Sequence, residues 1–196
     1  MTNNMSKIKK MTGISIFTAI VIVLQIICTF VKFGPFSITL ALAPILVCSA
    51  LYGKNSGAFL GAVLGAVVLI TGLFSWDGGF VLFLMSQNAL ATVAICIVKS
   101  TVAGYLCGLV YEFVSKKNQL LGVVLAAIVC PVVNTGLFIV GMMVFFYDFL
   151  VSSAGGQSVI YFVIFGLVGI NFLVELVTNV VLSSAISRII GIGKKM

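Results

Sequence analysis

Apolar residues in this chain come in six long runs, at roughly 11–31, 36–52, 55–74, 88–114, 119–147 and 160–189, parted by short breaks that hold most of the charge. An α-helix rises about 1.5 Å per residue and the hydrocarbon core of a bilayer is about 30 Å thick, so a span takes about 20 apolar residues, fewer where neighbours shelter it. The pattern predicts an all-α, polytopic membrane protein. Six transmembrane helices are expected to form one membrane domain over about 11–189, flanked by basic ends at 1–10 and about 190–196. The second run is short and carries Pro44. The first follows a basic N-terminus, but its roughly 21 residues exceed the roughly 7–15 of a signal-peptide core, so it is expected to remain as a helix.

Composition sharpens this picture. The 196 residues are 62% hydrophobic and 8% charged, against about 25% charged in an ordinary soluble domain, which excludes a water-soluble globule. Lys and Arg outnumber Asp and Glu by 11 to 4, for a formal charge of +7. The positions of the cations argue against nucleic acid as the partner. Lys7, Lys9 and Lys10 precede the first run, Lys54, Lys116 and Lys117 occupy tight breaks, and Arg188, Lys194 and Lys195 close the chain. Clusters of this kind mark cytoplasmic ends. Both termini are therefore expected to be cytoplasmic, with the segments 32–37, 72–87 and 148–157 facing outward. Those outer segments read either as lids over a site or as solvated connectors.

The chain has no His, and Cys28, Cys48, Cys96, Cys107 and Cys130 lie in apolar runs without a C-x-x-C, so they read as small core hydrophobes and no metal site is expected. It also lacks a phosphate-binding G-x-x-x-x-G-K-[ST], an H-E-x-x-H and a G-x-S-x-G, which argues against nucleotide hydrolysis and the familiar hydrolases. Energy for any accumulation must come from an ion gradient or a partner. No internal repeat is evident, which weakens the case for a self-sufficient carrier built from inverted repeats.

Ionisable and amide side chains inside a span are costly and are candidates for function. They are Gln25, Lys99, Asn134, Asn171, Glu175 and Asn179. Lys99 to Lys116, Lys117 to Asn134 and Asn171 to Arg188 are each separated by 17 positions, about 25 Å of helix, which puts the three polar residues at one level in the outer third. Asn171, Glu175 and Asn179 recur at i, i+4 and i+8 and form one stripe of the last helix. Gln25 matches in depth but has no polar neighbour on its own helix. A cation, a carboxylate and amides at one level suit a small polar metabolite. The plainer reading makes Lys99 a partner of Glu175 or a snorkelling cation, and the Asn residues interhelical glue. Pro131 is expected to bend the fifth span and turn Asn134 inward. Gly57, Gly61 and Gly65 in the third span, like Ser15 and Ala19 in the first, form small-residue stripes suited to close helix approach.

Several segments together resemble the substrate-binding S component of energy-coupling factor (ECF) transporters. They are Phe33-Gly34-Pro35-Phe36-Ser37-Ile38-Thr39-Leu40 leading into Pro44, then Ala50-Leu51-Tyr52-Gly53-Lys54 with Gly57-Ala58 and Gly61, Lys99 followed by Ala103-Gly104, Pro131 with Asn134-Thr135-Gly136, and Asn171-x-x-x-Glu175-x-x-x-Asn179. The resemblance spans the whole chain and is strongest to the pantothenate type. It implies a non-enzymatic subunit of a bacterial plasma-membrane importer that captures a vitamin from outside and topples in the bilayer to deliver it. A transmembrane coupling protein and two cytoplasmic ATPases would be its partners, with ATP and Mg used there and no cofactor in this chain. Docking is implied at Ser15 and Ala19, where the family carries an Ala-x-x-x-Ala-like step. Lids are implied at Phe33 and Phe36 in the first outer loop and at Trp76 and Asp77 in the second. Pantothenate would offer a carboxylate to Lys99, an amide to Asn134 or Asn171, and hydroxyls to Glu175 or Asn179. A riboflavin or pyridoxine-like ligand, a self-contained carrier using Glu175, and a structural membrane protein are the alternatives.

Overall fold

The computed structural model describes the backbone of residues 2–30, 32–33, 36–37 and 39–193, and within these the side chains of 7–30, 39–169 and 171–192. Five helices are long and apolar enough to cross a membrane. They are α1 (Thr2–Thr29), α3 (Lys54–Leu73), α5 (Ala89–Val114), α6 (Gln119–Phe145) and α9 (Gly169–Gly193). The others are short: α2 (Leu42–Tyr52), α4 (Phe80–Gln87), α7 (Tyr147–Ser153) and the single turn α8 (Val159–Tyr161), which runs through a π-helical segment, Phe162–Val168, into α9. The one departure from all-helical structure among the described residues is a minimal antiparallel pair, β1 (Lys32–Phe33) with β2 (Phe36–Ser37), in register Lys32 to Ser37 and Phe33 to Phe36.

The run expected to span at 36–52 forms a helix too short to cross a bilayer alone. Only 11 of its residues are helical, about 16 Å of rise and half a hydrocarbon core. Its first residues go into the β pair. The helix starts just ahead of Pro44, which is tolerated in a first turn because its missing N–H would have no intrahelical acceptor there. It stops at Gly53, whose φ of 95° needs a residue without a Cβ. Leu42, Ile45, Leu46 and Cys48 are fully buried, so α2 is sheltered by the helices around it and needs no full span of its own.

Tight helix pairing sets the frame. A Cβ at Gly57, Gly61 or Gly65 of α3 would overlap the backbone of Gly104, Ser100 or Cys96 of α5 respectively, so two antiparallel small-residue stripes are in backbone contact. The basic segments gather at one end: Gly13 lies against the Tyr52 ring, the Lys54 N–H donates to Glu112 Oε1 (3.1 Å), and Gln119 Nε2 donates to the Ser187 carbonyl (2.8 Å).

Two large apolar cores result among the described residues, beside a small third cluster of Leu69, Val81 and Cys96. One, centred on α2 at the basic end, includes Val21, Leu46, Leu60, Leu64, Ala103, Val123, Cys130 and Ile186. The other, at the opposite end, gathers Leu84, Ile95, Met142, Leu150, Val163 and Leu167. Along α5 the sequence passes from Ile95 in one core to Ala103 in the other, and Lys99 and Ser100 lie between. The same interval on α6 holds Asn134, and on the π segment and α9 it holds Asn171, Glu175 and Asn179. The polar layer is thus sandwiched between two dry ones.

Candidate functional site

Helix α9 is patterned inside out. Asn171, Glu175, Asn179 and Ser183 are buried at four-residue steps, while Leu173, Val177 and Val181 are exposed. In a lipid-facing helix this puts the apolar face toward acyl chains and the polar stripe toward the bundle. Glu175 Oε1 accepts the backbone N–H of Thr39 (2.8 Å), tying the segment ahead of α2 to α9. Asn179 Nδ2 donates to the Glu175 carbonyl (2.8 Å). Asn134, next to the buried Pro131 on α6, accepts from Ser100 Oγ through its Oδ1 (3.2 Å). That bond leaves the Asn134 amide hydrogens for another partner.

Lys99 is the cation of this layer. Its ammonium sits 4.9 Å from the centre of the Phe138 ring, a cation–π arrangement. Among the described residues the ion pair is Lys54 with Glu112 (3.5 Å), at the basic end, and neither Glu175 nor Asp77 forms one with Lys99. The expectation that Lys99 could be neutralised by Glu175 therefore has no direct contact behind it.

Two small cavities of about 70 Å³ each flank the Lys99–Phe138 pair. One is lined by Asn134, Thr135, Asn171, Phe172 and Glu175, so the structure brings four of the five predicted binding residues, Lys99, Asn134, Asn171 and Glu175, to a common space. The fifth, Asn179, lies a turn deeper on α9 and lines neither cavity. The other cavity reaches toward α1, α3 and α4 and is lined by Gln25, Thr71, Asp77, Phe80, Thr92 and Ile95 among others. Thr39, Lys99 and Phe138 line both and form the junction.

The outer loops take distinct places. Asp77 accepts the N–H groups of Gly79 (2.9 Å) and Val81 (2.8 Å), capping α4, and α4 covers the second cavity with Phe80, Val81 and Leu84. Trp76 is exposed and packs on Phe30 and Phe74, with ring centres 5.7 and 5.9 Å away. The side chains of Phe33 and Phe36 lie outside the described residues. Ser15 and Ala19 are exposed on α1, the helix with the least buried face among the five, and Ser15 Oγ donates to the Met11 carbonyl (3.0 Å).

Thr39, Ser100 and Phe138 were not singled out from sequence. A threonine, a serine and a phenylalanine are ordinary in apolar runs, and only Ser100, adjacent to Lys99 and facing the α3 glycine stripe, carried a signal that could have found it.

Five apolar spans around a layer of buried amides, a buried carboxylate and an ammonium with no ion-pair partner among the described residues define a multi-pass membrane protein with a polar site between its helices. The chain belongs to the family of ECF transporter substrate-specific components, whose description matches residues 9–187. It is also 29% identical over 191 residues to the pantothenic acid transporter PanT of Lactococcus lactis subsp. cremoris (strain MG1363), covering 92% of this chain and 93% of that protein. No solved structure gives a significant match. The chain is accordingly a transport subunit, the component that confers substrate specificity.

Proposed function

We propose that this subunit binds pantothenate and delivers it into a bacterial cell as part of an ATP-driven importer. The carrying observation is the Lys99 ammonium, held on Phe138 between two polar cavities without a carboxylate in ion-pair contact among the described residues. A cation in that setting favours an anionic ligand, since burying it alone is costly and pairing it is not. In this reading the vitamin's carboxylate pairs with Lys99, and Asn134 and Asn171 hydrogen-bond the carboxylate and the neighbouring amide. Glu175 positions Thr39 over the site. Similarity to PanT over nearly the whole chain supports the choice of ligand.

Topology follows the same reading. The short, sheltered α2 counts as the second of six spans, the basic end and both termini are cytoplasmic, and the site opens outward in the plasma membrane. Family membership supports a transmembrane coupling protein and two cytoplasmic ATPases as partners, with ATP and Mg consumed there. The exposed Ser15–Ala19 face of α1 is the proposed docking surface.

The test compares pantothenate with pantothenol, in which the carboxylate is replaced by an alcohol. The protein is expected to prefer the acid by about 100-fold, the range for losing one partner of a buried charge pair, and Lys99→Met is expected to abolish that preference. Equal affinity for the two compounds in the unsubstituted protein would sink the carboxylate assignment.

A further inference from the structure

The cavity on the α1 side has a chemistry of its own. Gln25, placed by α1, is 1% exposed, and its Oε1 has no hydrogen-bond partner among the described residues. Thr71 on α3 commits its hydroxyl hydrogen to the Val67 carbonyl (3.0 Å), shared with Val68 (3.2 Å), and Thr92 on α5 commits its own to Asn88 (2.8 Å). A hydroxyl has one hydrogen and two lone pairs, so both threonines have only acceptor capacity left. Asp77, whose carboxylate oxygens each hold an N–H, is also an acceptor. Besides Lys99 and Thr39 at the junction, the lobe thus presents the open Gln25 Oε1, two threonine oxygens with only lone pairs left and the Asp77 carboxylate, with the Gln25 amide hydrogens its one further donor group, and the remaining wall is aliphatic and aromatic, with Val68, Phe80, Val81, Leu84 and Ile95.

We infer that Gln25, Thr71 and Thr92 form an acceptor lobe of the binding site that selects a hydroxylated, methyl-bearing end of the ligand, reached across the Lys99–Phe138 junction. The inference rests on the functional reading above and extends it. An anionic group is disfavoured there, because the Asp77 carboxylate and the acceptor oxygens face it and the cation, Lys99, stands at the rim. A group carrying O–H donors on a branched aliphatic carbon satisfies the lobe, and the pantoyl end of pantothenate, two hydroxyls about a dimethyl carbon, has this composition. The hydroxyls are therefore assigned to this lobe, away from Glu175, which already holds Thr39, and from Asn179, which lines neither cavity.

The experiment measures affinity of the purified chain for pantothenate and for N-(3,3-dimethylbutanoyl)-β-alanine, which keeps the carboxylate, amide and methyl groups but lacks both hydroxyls. Gln25→Leu, close in size and without a polar atom, is expected to weaken pantothenate binding about tenfold and to leave the dehydroxylated compound unchanged. Thr71→Val, an isosteric loss of the second acceptor, is expected to repeat this selective loss and serves as the independent variant should Gln25→Leu fold poorly. Equal losses on both compounds, or no loss on either, in folded variants of a protein that binds pantothenate would overturn the inference alone. Failure of the unsubstituted chain to bind either compound would overturn the functional reading and the inference with it.

Discussion

Lys99 joins the cost of a cation in an apolar span to the use made of it. Held by a ring face and no carboxylate contact, it contributes little to the folded state that a neutral side chain of similar length would not. Lys99→Met is therefore predicted to leave the melting temperature in detergent unchanged or slightly raised while reducing pantothenate affinity by about 100-fold or more. A parallel fall in melting temperature would instead mark Lys99 as a structural residue. Glu175 is expected to behave in the opposite way. Its Oε1 holds the part-buried Thr39 N–H at 2.8 Å, and a donor that loses its acceptor away from water costs about 1–3 kcal/mol. Glu175→Ala is predicted to lower thermal stability by about that much, whereas Glu175→Gln, which keeps a carbonyl oxygen, is predicted to retain most of it.

The packing of α3 on α5 governs where Lys99 and Ser100 stand. A Cβ on Gly61 would overlap the Ser100 backbone, while one on Gly136 of α6 meets nothing within 4 Å. Gly61→Ala is thus predicted to destabilise by about 1–3 kcal/mol through forced separation of the helices, and Gly136→Ala to stabilise by about 0.5–1 kcal/mol through helix propensity. Thermal unfolding of the two variants side by side checks both signs. At this scale the sequence was informative where a pattern repeats. The glycine stripe of α3, the four long spans that follow the first, and the stripe of α9 are periodic features, and period is what a chain displays openly. The extent of α2 was hidden because a hydropathy run counts Phe36 to Tyr52 as one, and the division between a β pair and a half-length helix depends on Pro44 and on neighbours that shelter 11 residues. The π-helical entry to α9 left no mark in composition either.

Across the whole molecule, a polar layer lies between two apolar cores. The equal 17-residue intervals from the basic end to Lys99, Asn134 and Asn171 anticipated that layer, because helices of fixed rise starting at one level bring equal counts to equal depth. Gln25 matched that depth in the sequence but stood alone on its helix, and Thr71 and Thr92 stayed unread, because a lone amide and two helical threonines acquire meaning only when a cavity joins them. Phe138 did so too, its ring being one of many. The outer face of α1, opposite Gln25, stays apart from this site: Ser15 and Ala19 are exposed, as are Ile16, Val23 and Ile27. Ser15→Phe with Ala19→Phe is predicted to leave ligand affinity within about twofold, since surface changes remote from a site have small effects, while abolishing uptake by cells that supply the coupling protein and ATPases. Loss of binding in that double variant would tie the Ser15–Ala19 face to the site rather than to docking. The central claim is that this chain alone recognises the anionic vitamin, and calorimetric titration of the purified, ligand-free chain with pantothenate, without ATP or partner, tests it most directly. Saturable one-to-one binding that disappears in Lys99→Met is the predicted result, and absence of binding by a folded, ligand-free chain would contradict it.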